Sequence, residues 1–140
     1  MIQITIFSIG KTKEPWLEEA LSMYEKRLTG KVRFVFSFAK DDTQLERWLE
    51  EEKNVILLDL QGKQVTSEEF CSYLFGVLEK SHPKIAFAIG GPEGFNKQTK
   101  EKYPKICLSK LTFTHQMARL VLVEQVFRSL EMRKGSQYHK

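Results

Sequence analysis

Apolar residues along this chain switch repeatedly between two spacings. IQITIFSI at 2–9, NVILLDL at 54–60 and KIAFAI at 84–89 are almost unbroken apolar or β-branched runs. Strands covered on both faces have this character. VRFVFSF at 32–38 and KICLS at 105–109 supply two further strands. Between them the spacing changes to the helical repeat of three to four residues. Pro15 suits a first helical position, and Leu17, Leu21, Tyr24 and Leu28 carry that helix to Leu28. The segment 41–53 begins with two aspartates, as a helix dipole prefers, and aligns Leu45, Trp48 and Leu49. Thr66 and Glu69 have the spacing of a capping box and open a helix to about Lys80. A weak helical patch at 96–102 precedes the last helix, from about His115 to Lys134, which Gly135 stops. SQYHK remains as a tail.

Strands alternating with helices predict an α/β domain with a mostly parallel sheet flanked by helices. No internal repeat or linker divides the chain, so residues 1–140 form a single domain. In such sheets ligands bind beyond the carboxyl ends of the strands. Those ends are SIGK (8–11), LDLQGK (58–63), IGGPEG (89–94) and LSKLTF (108–113), four loops expected at one rim.

Charge and cysteine content change this picture only slightly. Lysine and arginine total 22 against 18 acidic residues, a formal charge of +4. That is a mild lean toward polyanions, which a plain solvated surface explains equally well. Cys71 and Cys107 stand alone, without metal-ligand spacing, so no disulfide framework or metal is expected. The N-terminal apolar run is too short for a membrane span or signal segment, and a cytoplasmic protein is expected.

The candidate chemistry gathers at the glycines. A strand that stops on Gly90-Gly91 leaves room for a phosphate, a crossing chain or a flat cofactor; the bland alternative is a tight turn. A dinucleotide fingerprint is excluded by position and spacing, and no P-loop occurs. His82, His115 and His139 lack zinc-helix spacing, and no nucleophile elbow appears. His115 reads as an opener of the last helix. By physics alone, His139 belongs to a frayed terminus. Met117, Leu120, Val121, Val123, Val126, Phe127 and Leu130 form an apolar set broader than one stripe. Either a central helix or a helix shared between the sheet and a partner subunit would have it. Glu124 and Arg128 are spaced for an ion pair, and Arg119, Arg128, Arg133 and Lys134 tilt the polar side positive.

GKTKEPWLEEALSMYEKRL (10–28), LDLQGK (58–63), AIGGPEG (88–94), LSKLTFTHQMARLVLVEQVFR (108–128) and the final YHK (138–140) together resemble the ribosomal RNA large subunit methyltransferase H family. The resemblance runs in order over nearly the whole chain. It implies a SPOUT-type fold with a C-terminal trefoil knot, against the general rarity of knots. It also implies methylation, with S-adenosyl-L-methionine, of N3 of a pseudouridine (1915 in the family's rRNA target) in 23S rRNA on the ribosome. Carried over by position, Leu58, Gly90, Leu108, Ser109, Lys110, Leu111, Thr112 and Phe113 would hold the cofactor. Tyr138, His139 and Lys140 would serve the nucleotide, with His139 as general base or orienter. The resemblance further implies a homodimer in which one subunit's tail reaches the other's cofactor pocket. Thr114 and Gln137 stand where many relatives have proline, and the chain is shorter between its second and third strands. A non-catalytic RNA- or ribosome-binding module, or another small-molecule enzyme, are the rival readings.

Overall fold

The near-continuous apolar runs become the centre of a five-stranded sheet. The computed structural model describes residues 1–10, 14–80 and 83–140; Lys11 of the first expected loop and His82 lie outside the described residues. The strands are β1 (Ile2–Ile9), β2 (Val32–Ala39), β3 (Val55–Gln64), β4 (Lys84–Ile89) and β5 (Lys105–Cys107). The helices are α1 (Pro15–Arg27), α2 (Asp42–Glu50), α3 (Ser67–Lys80), α4 (Lys97–Lys102) and α5 (His115–Lys134). All strand pairs are parallel, in the order β2-β1-β4-β3-β5. The expected α/β architecture is the one observed.

Both faces of the sheet are covered. On one, Ile4, Ile6, Ile85 and Phe87 pack with Leu17 and Leu21 of α1, Phe70 and Leu74 of α3, and Leu122, Val123 and Val126 of α5. On the other, Phe7, Leu57, Ala86 and Ala88 meet Leu45 and Leu49 of α2, with Phe95. The period-two alternation of a strand divides β4 between these cores. Each such buried aliphatic or aromatic side chain contributes about 1.5–3 kcal/mol. Local signals also hold. Asp41 caps α2 through Gln44 N at 2.9 Å, and Thr66 and Glu69 bond each other's backbone N–H at 3.1 and 2.9 Å.

Three boundaries depart from expectation by more than one residue, the first being β5, which ends at Cys107 rather than at 109. Helix α2 stops at Glu50 rather than 53, because its apolar stripe ends at Leu49. Strand β3 does not turn at QGK but continues to Gln64. Its register on β5 shifts on the way: Leu58 and Lys63 both pair with Ile106. Leu57 N–H donates to Pro104 O at 2.9 Å, and Val65 N–H donates to Cys107 O at 3.2 Å. Carbonyls three residues apart in an extended segment point to opposite edges. Strand β5 is therefore held on both edges by the two ends of β3, and residues 59–62 arch over it. Gly62 is the contact point. A Cβ there would lie 2.7 Å from Ile106 N and Lys105 C, so only glycine fits without backbone movement.

Candidate active site

The arch of β3, the glycine turn after β4 and the loop after β5 converge on one cavity of about 560 Å³, within the range of small-molecule sites. Leu58, Asp59 and Leu60 come from β3, Ile89 ends β4, and Gly90 to Pro92 with Gly94 and Phe95 follow it. Cys107 to Ser109 and Leu111 to Phe113 come from the β5 loop, and the first turn of α5 closes the rim. Of the four loops expected there, three meet. Of the β1 loop, the described residues Ser8 to Gly10 do not line the cavity; Ile9 supports it from behind, 3.7 Å from the position of a Cβ on Gly91.

The glycine question has a double answer. Gly94 N–H donates to Gly91 O at 2.8 Å, closing a tight turn with Gly94 at φ 75°. At Gly90 a Cβ would come within 3.0 Å of Gly94 C. The turn is compact because Gly90 is bare, and that compactness shapes the cavity wall.

Seven of the eight expected cofactor residues line this space: Leu58, Gly90, Leu108, Ser109, Leu111, Thr112 and Phe113. Lys110 does not. It is exposed, and a strongly hydrated ammonium gains nothing from a largely apolar wall. The loop is braced locally, with Ser109 Oγ accepting from Leu111 N–H at 3.0 Å. Behind it Lys100 Nζ stands 3.7 Å from Asp59 Oδ2, a buried oxygen without a hydrogen-bond partner.

His115, read from sequence only as a helix opener, lines the cavity. Its pKa is held below the ordinary 6.5 by burial first and by the charge of Arg119 second, against the pull of Glu14. Arg119 is a correction. It does not join the positive polar side of α5 but is buried, 3% exposed. Its Nη2 donates to Ser8 Oγ at 3.0 Å and reaches His115 Nδ1 at 3.5 Å. Its guanidinium lies over the Phe38 ring at 4.8 Å.

The tail is tied down, not frayed. Tyr138 Oη donates to Glu124 Oε2 at 2.7 Å, and its ring meets Phe127 edge-on at 4.9 Å. Burial and that carboxylate raise the Tyr138 pKa well above its ordinary value. Arg128 pairs with Glu124 through two nitrogens, at 3.3 and 2.8 Å. Burial pushes the Glu124 carboxyl upward, but the hydrogen bonds from Arg128 and Tyr138 outweigh it and hold the pKa below 4.5. His139 sits between Arg128 Nη1 at 2.9 Å and Glu68 Oε1 at 3.0 Å. A guanidinium only donates, so His139 Nδ1 accepts and Nε2–H faces Glu68. Lys140 is exposed. None of the three tail residues lines the cavity of this chain. They sit beside Glu124 and Arg128, roughly 9–15 Å further along α5 than Ala118 by helical rise.

Among the described residues no three His, Cys, Asp or Glu side chains gather as a metal site, and no helix is long and apolar enough to cross a membrane. Comparison with known proteins places this geometry. The family model described as "Predicted SPOUT methyltransferase" matches residues 2–139. Two solved structures share the fold. A probable methylase family protein from Haemophilus influenzae Rd KW20 has TM-score 0.60 at 10% identity, over 98% of this chain and 70% of that one. A structure described under 2-OH methylation of C/U34 on tRNA has TM-score 0.52 at 6% identity, over 96% and 98%. Fold and family model together define a SPOUT methyltransferase.

Curated relatives narrow the class. Ribosomal RNA large subunit methyltransferase H of Protochlamydia amoebophila is 43% identical over 140 residues, all of both chains. Its namesake in Clostridium beijerinckii is 36% identical over 160 aligned positions, 99% of this chain and 100% of the relative. The chain belongs to the ribosomal RNA large subunit methyltransferase H family.

Proposed function

We propose that this protein transfers a methyl group from S-adenosyl-L-methionine to N3 of a pseudouridine in 23S rRNA, within the assembled ribosome of the cytoplasm. One observation carries the reading: three strand-end loops, with seven of the eight residues carried over from the family, enclose a single cavity. Its chemistry fits the cofactor. Leu58, Ile89, Leu108 and Phe113 offer apolar walls to an adenine, and the β5 loop offers backbone polar groups. The β3 arch over β5 supports a trefoil knot at the same place.

When bound, the cofactor supplies a methyl already activated on a sulfonium. The protein's remaining work is positioning and handling the N3 proton. His139 keeps its hydrogen on Nε2 while Arg128 occupies Nδ1, so in this pose it orients by donation. Service as a general base requires release from Arg128. Tyr138 contributes a ring and a hydroxyl to the nucleotide, and Lys140 a charge to phosphate. The distance between tail and cavity in one chain supports a homodimer in which each tail serves the partner's cavity. Exposed Trp16 and Met23 on α1 and Met117 on α5 give such an interface apolar area.

Transfer of labelled methyl to ribosomes lacking the mark, followed by mapping, tests the reading. Label at N3 of one pseudouridine is expected. No transfer, with no calorimetric binding of S-adenosyl-L-methionine, would leave an RNA- or ribosome-binding module instead. Deleting Tyr138–Lys140 is expected to abolish transfer and leave cofactor affinity within about twofold, since no tail residue touches the cavity wall of its own chain and the partner's tail serves the nucleotide, not the cofactor.

A further inference from the structure

We infer that Arg119 is a positioning residue: it fixes the hydrogen of His115 on Nε2, presenting that N–H as a donor to an anionic oxygen bound in the cavity. The inference rests on the cavity being the methyl-transfer site. Burying a guanidinium opposes folding unless a carboxylate or equivalent partners compensate. Among the described residues no carboxylate pairs with Arg119; Ser8 Oγ, His115 Nδ1 and the Phe38 face are its partners. Its Nε is buried with none. An apolar residue of similar volume would fill the same space with no such penalty. Packing therefore does not account for an arginine here.

What arginine alone contributes is a fixed, permanently charged donor. Every guanidinium nitrogen donates, so the contact with His115 Nδ1 obliges that nitrogen to accept. The ring hydrogen then sits on Nε2. Burial and the neighbouring charge oppose a second proton on the ring, which favours this tautomer. Two charged groups face it: Arg119 from its own helix and Glu14 from the start of α1. Glu14 already accepts from Gln116 Nε2 at 3.3 Å. A neutral imidazole backed by a cation is a stronger donor than imidazole alone, and preorganised donors matter most where negative charge develops. Two groups could supply the anionic oxygen. One is a carbonyl oxygen of the target base, which gains charge as N3 loses its proton; the other is the cofactor's carboxylate.

Ring ¹⁵N shifts of His115 in the wild-type protein, assigned against H115Q, test the tautomer directly. A single Nε2–H form is expected; an Nδ1–H form or a mixture would overturn the inference whether or not any variant folds. R119M is expected to keep or raise Tm, to mix the tautomers, and to slow methyl transfer by about 10–100-fold. R119K, which restores a donor, should recover part of the rate. A purely structural arginine would give the reverse pattern, a lower Tm with the tautomer and kcat unchanged. Calorimetry separates the two anions. If S-adenosyl-L-methionine affinity falls with the rate in H115Q, the carboxylate is the acceptor; if kcat alone falls, the base is. Unchanged affinity and kcat would sink the proposal. Absence of transfer by the wild type would instead reject the functional reading, with the ¹⁵N spectrum still deciding the tautomer.

Discussion

Arg119 and Arg128 lie on the same helix and live in opposite worlds. Arg119 is buried at the cavity end with a hydroxyl, an imidazole nitrogen and a ring face for company. Arg128 is about a quarter exposed, doubly bonded to Glu124, and in touch with His139. The first arrangement costs stability and holds one geometry. The second is an ordinary charge-assisted pair, cheap to make and to exchange. The same contrast runs through the two ends of α5. At the cavity end, backbone meets backbone: Gly62 on β5, Gly90 on Gly94. At the tail end, side chains hold side chains through Tyr138, Glu124, Arg128, His139 and Glu68. A binding wall needs permanence, whereas a tail proposed to serve another subunit needs a releasable hold.

Gly62→Ala attacks the permanent end and carries the largest expected effect. Its Cβ would sit 2.7 Å from two backbone atoms of β5, where no rotamer offers escape. A loss on the order of 4 kcal/mol or more is expected, read by denaturant unfolding. Gly76→Ala is the control: a Cβ there meets nothing within 4 Å inside α3, so about 0.5–1 kcal/mol of stabilisation is expected. Equal effects from both would mean the arch is not close-packed.

The releasable end should break more gently. Glu124→Ala leaves Arg128, Tyr138 and Gln125 without their shared acceptor. Because the site is partly exposed, water replaces some of the loss, and about 1–3 kcal/mol is expected. Methyl transfer should fall further than stability does, since the tail loses its hold, while S-adenosyl-L-methionine affinity should stay within about twofold. A matching fall in cofactor affinity would erase the distinction between the two ends.

How far the sequence reveals each end follows from the same physics. The strands β1, β3 and β4 were legible because burial on both faces writes itself as continuous apolar residues, and Asp41, Thr66 and Gly135 mark helix ends by local chemistry. The loops were legible through strand direction alone, which explains why Leu58, Gly90 and Leu108 could be grouped before any coordinates. Three things were hidden. The second pairing of β3 on β5 depends on a crossing between segments some 40 residues apart, which no local period records. Arg119 reads as surface because arginine almost always is; the only trace is its place among Met117, Ala118, Leu120 and Val121. The tail looked loose because its anchors, Glu124 and Glu68, lie far from it in the chain.

Acid should separate the two ends without any mutation, by a smaller effect. The His115 pKa is lowered in the folded chain, so the unfolded chain binds its proton first as pH falls. Stability from this neutral ring is fully present above about 6.5 and declines as pH drops through the folded value. Glu124 is also lowered, below 4.5, by Arg128 and Tyr138 acting against burial. Its contribution persists to lower pH and disappears only as that carboxylate protonates. Unfolding free energies measured from pH 7.5 to 3.5 should therefore fall in two stages. His115→Gln should flatten the upper stage alone, and Glu124→Gln the lower. If His115→Gln flattened the lower stage, or if Glu124→Gln removed the upper, the two ends of α5 would be one coupled network, and the contrast between Arg119 and Arg128 would be one of exposure only.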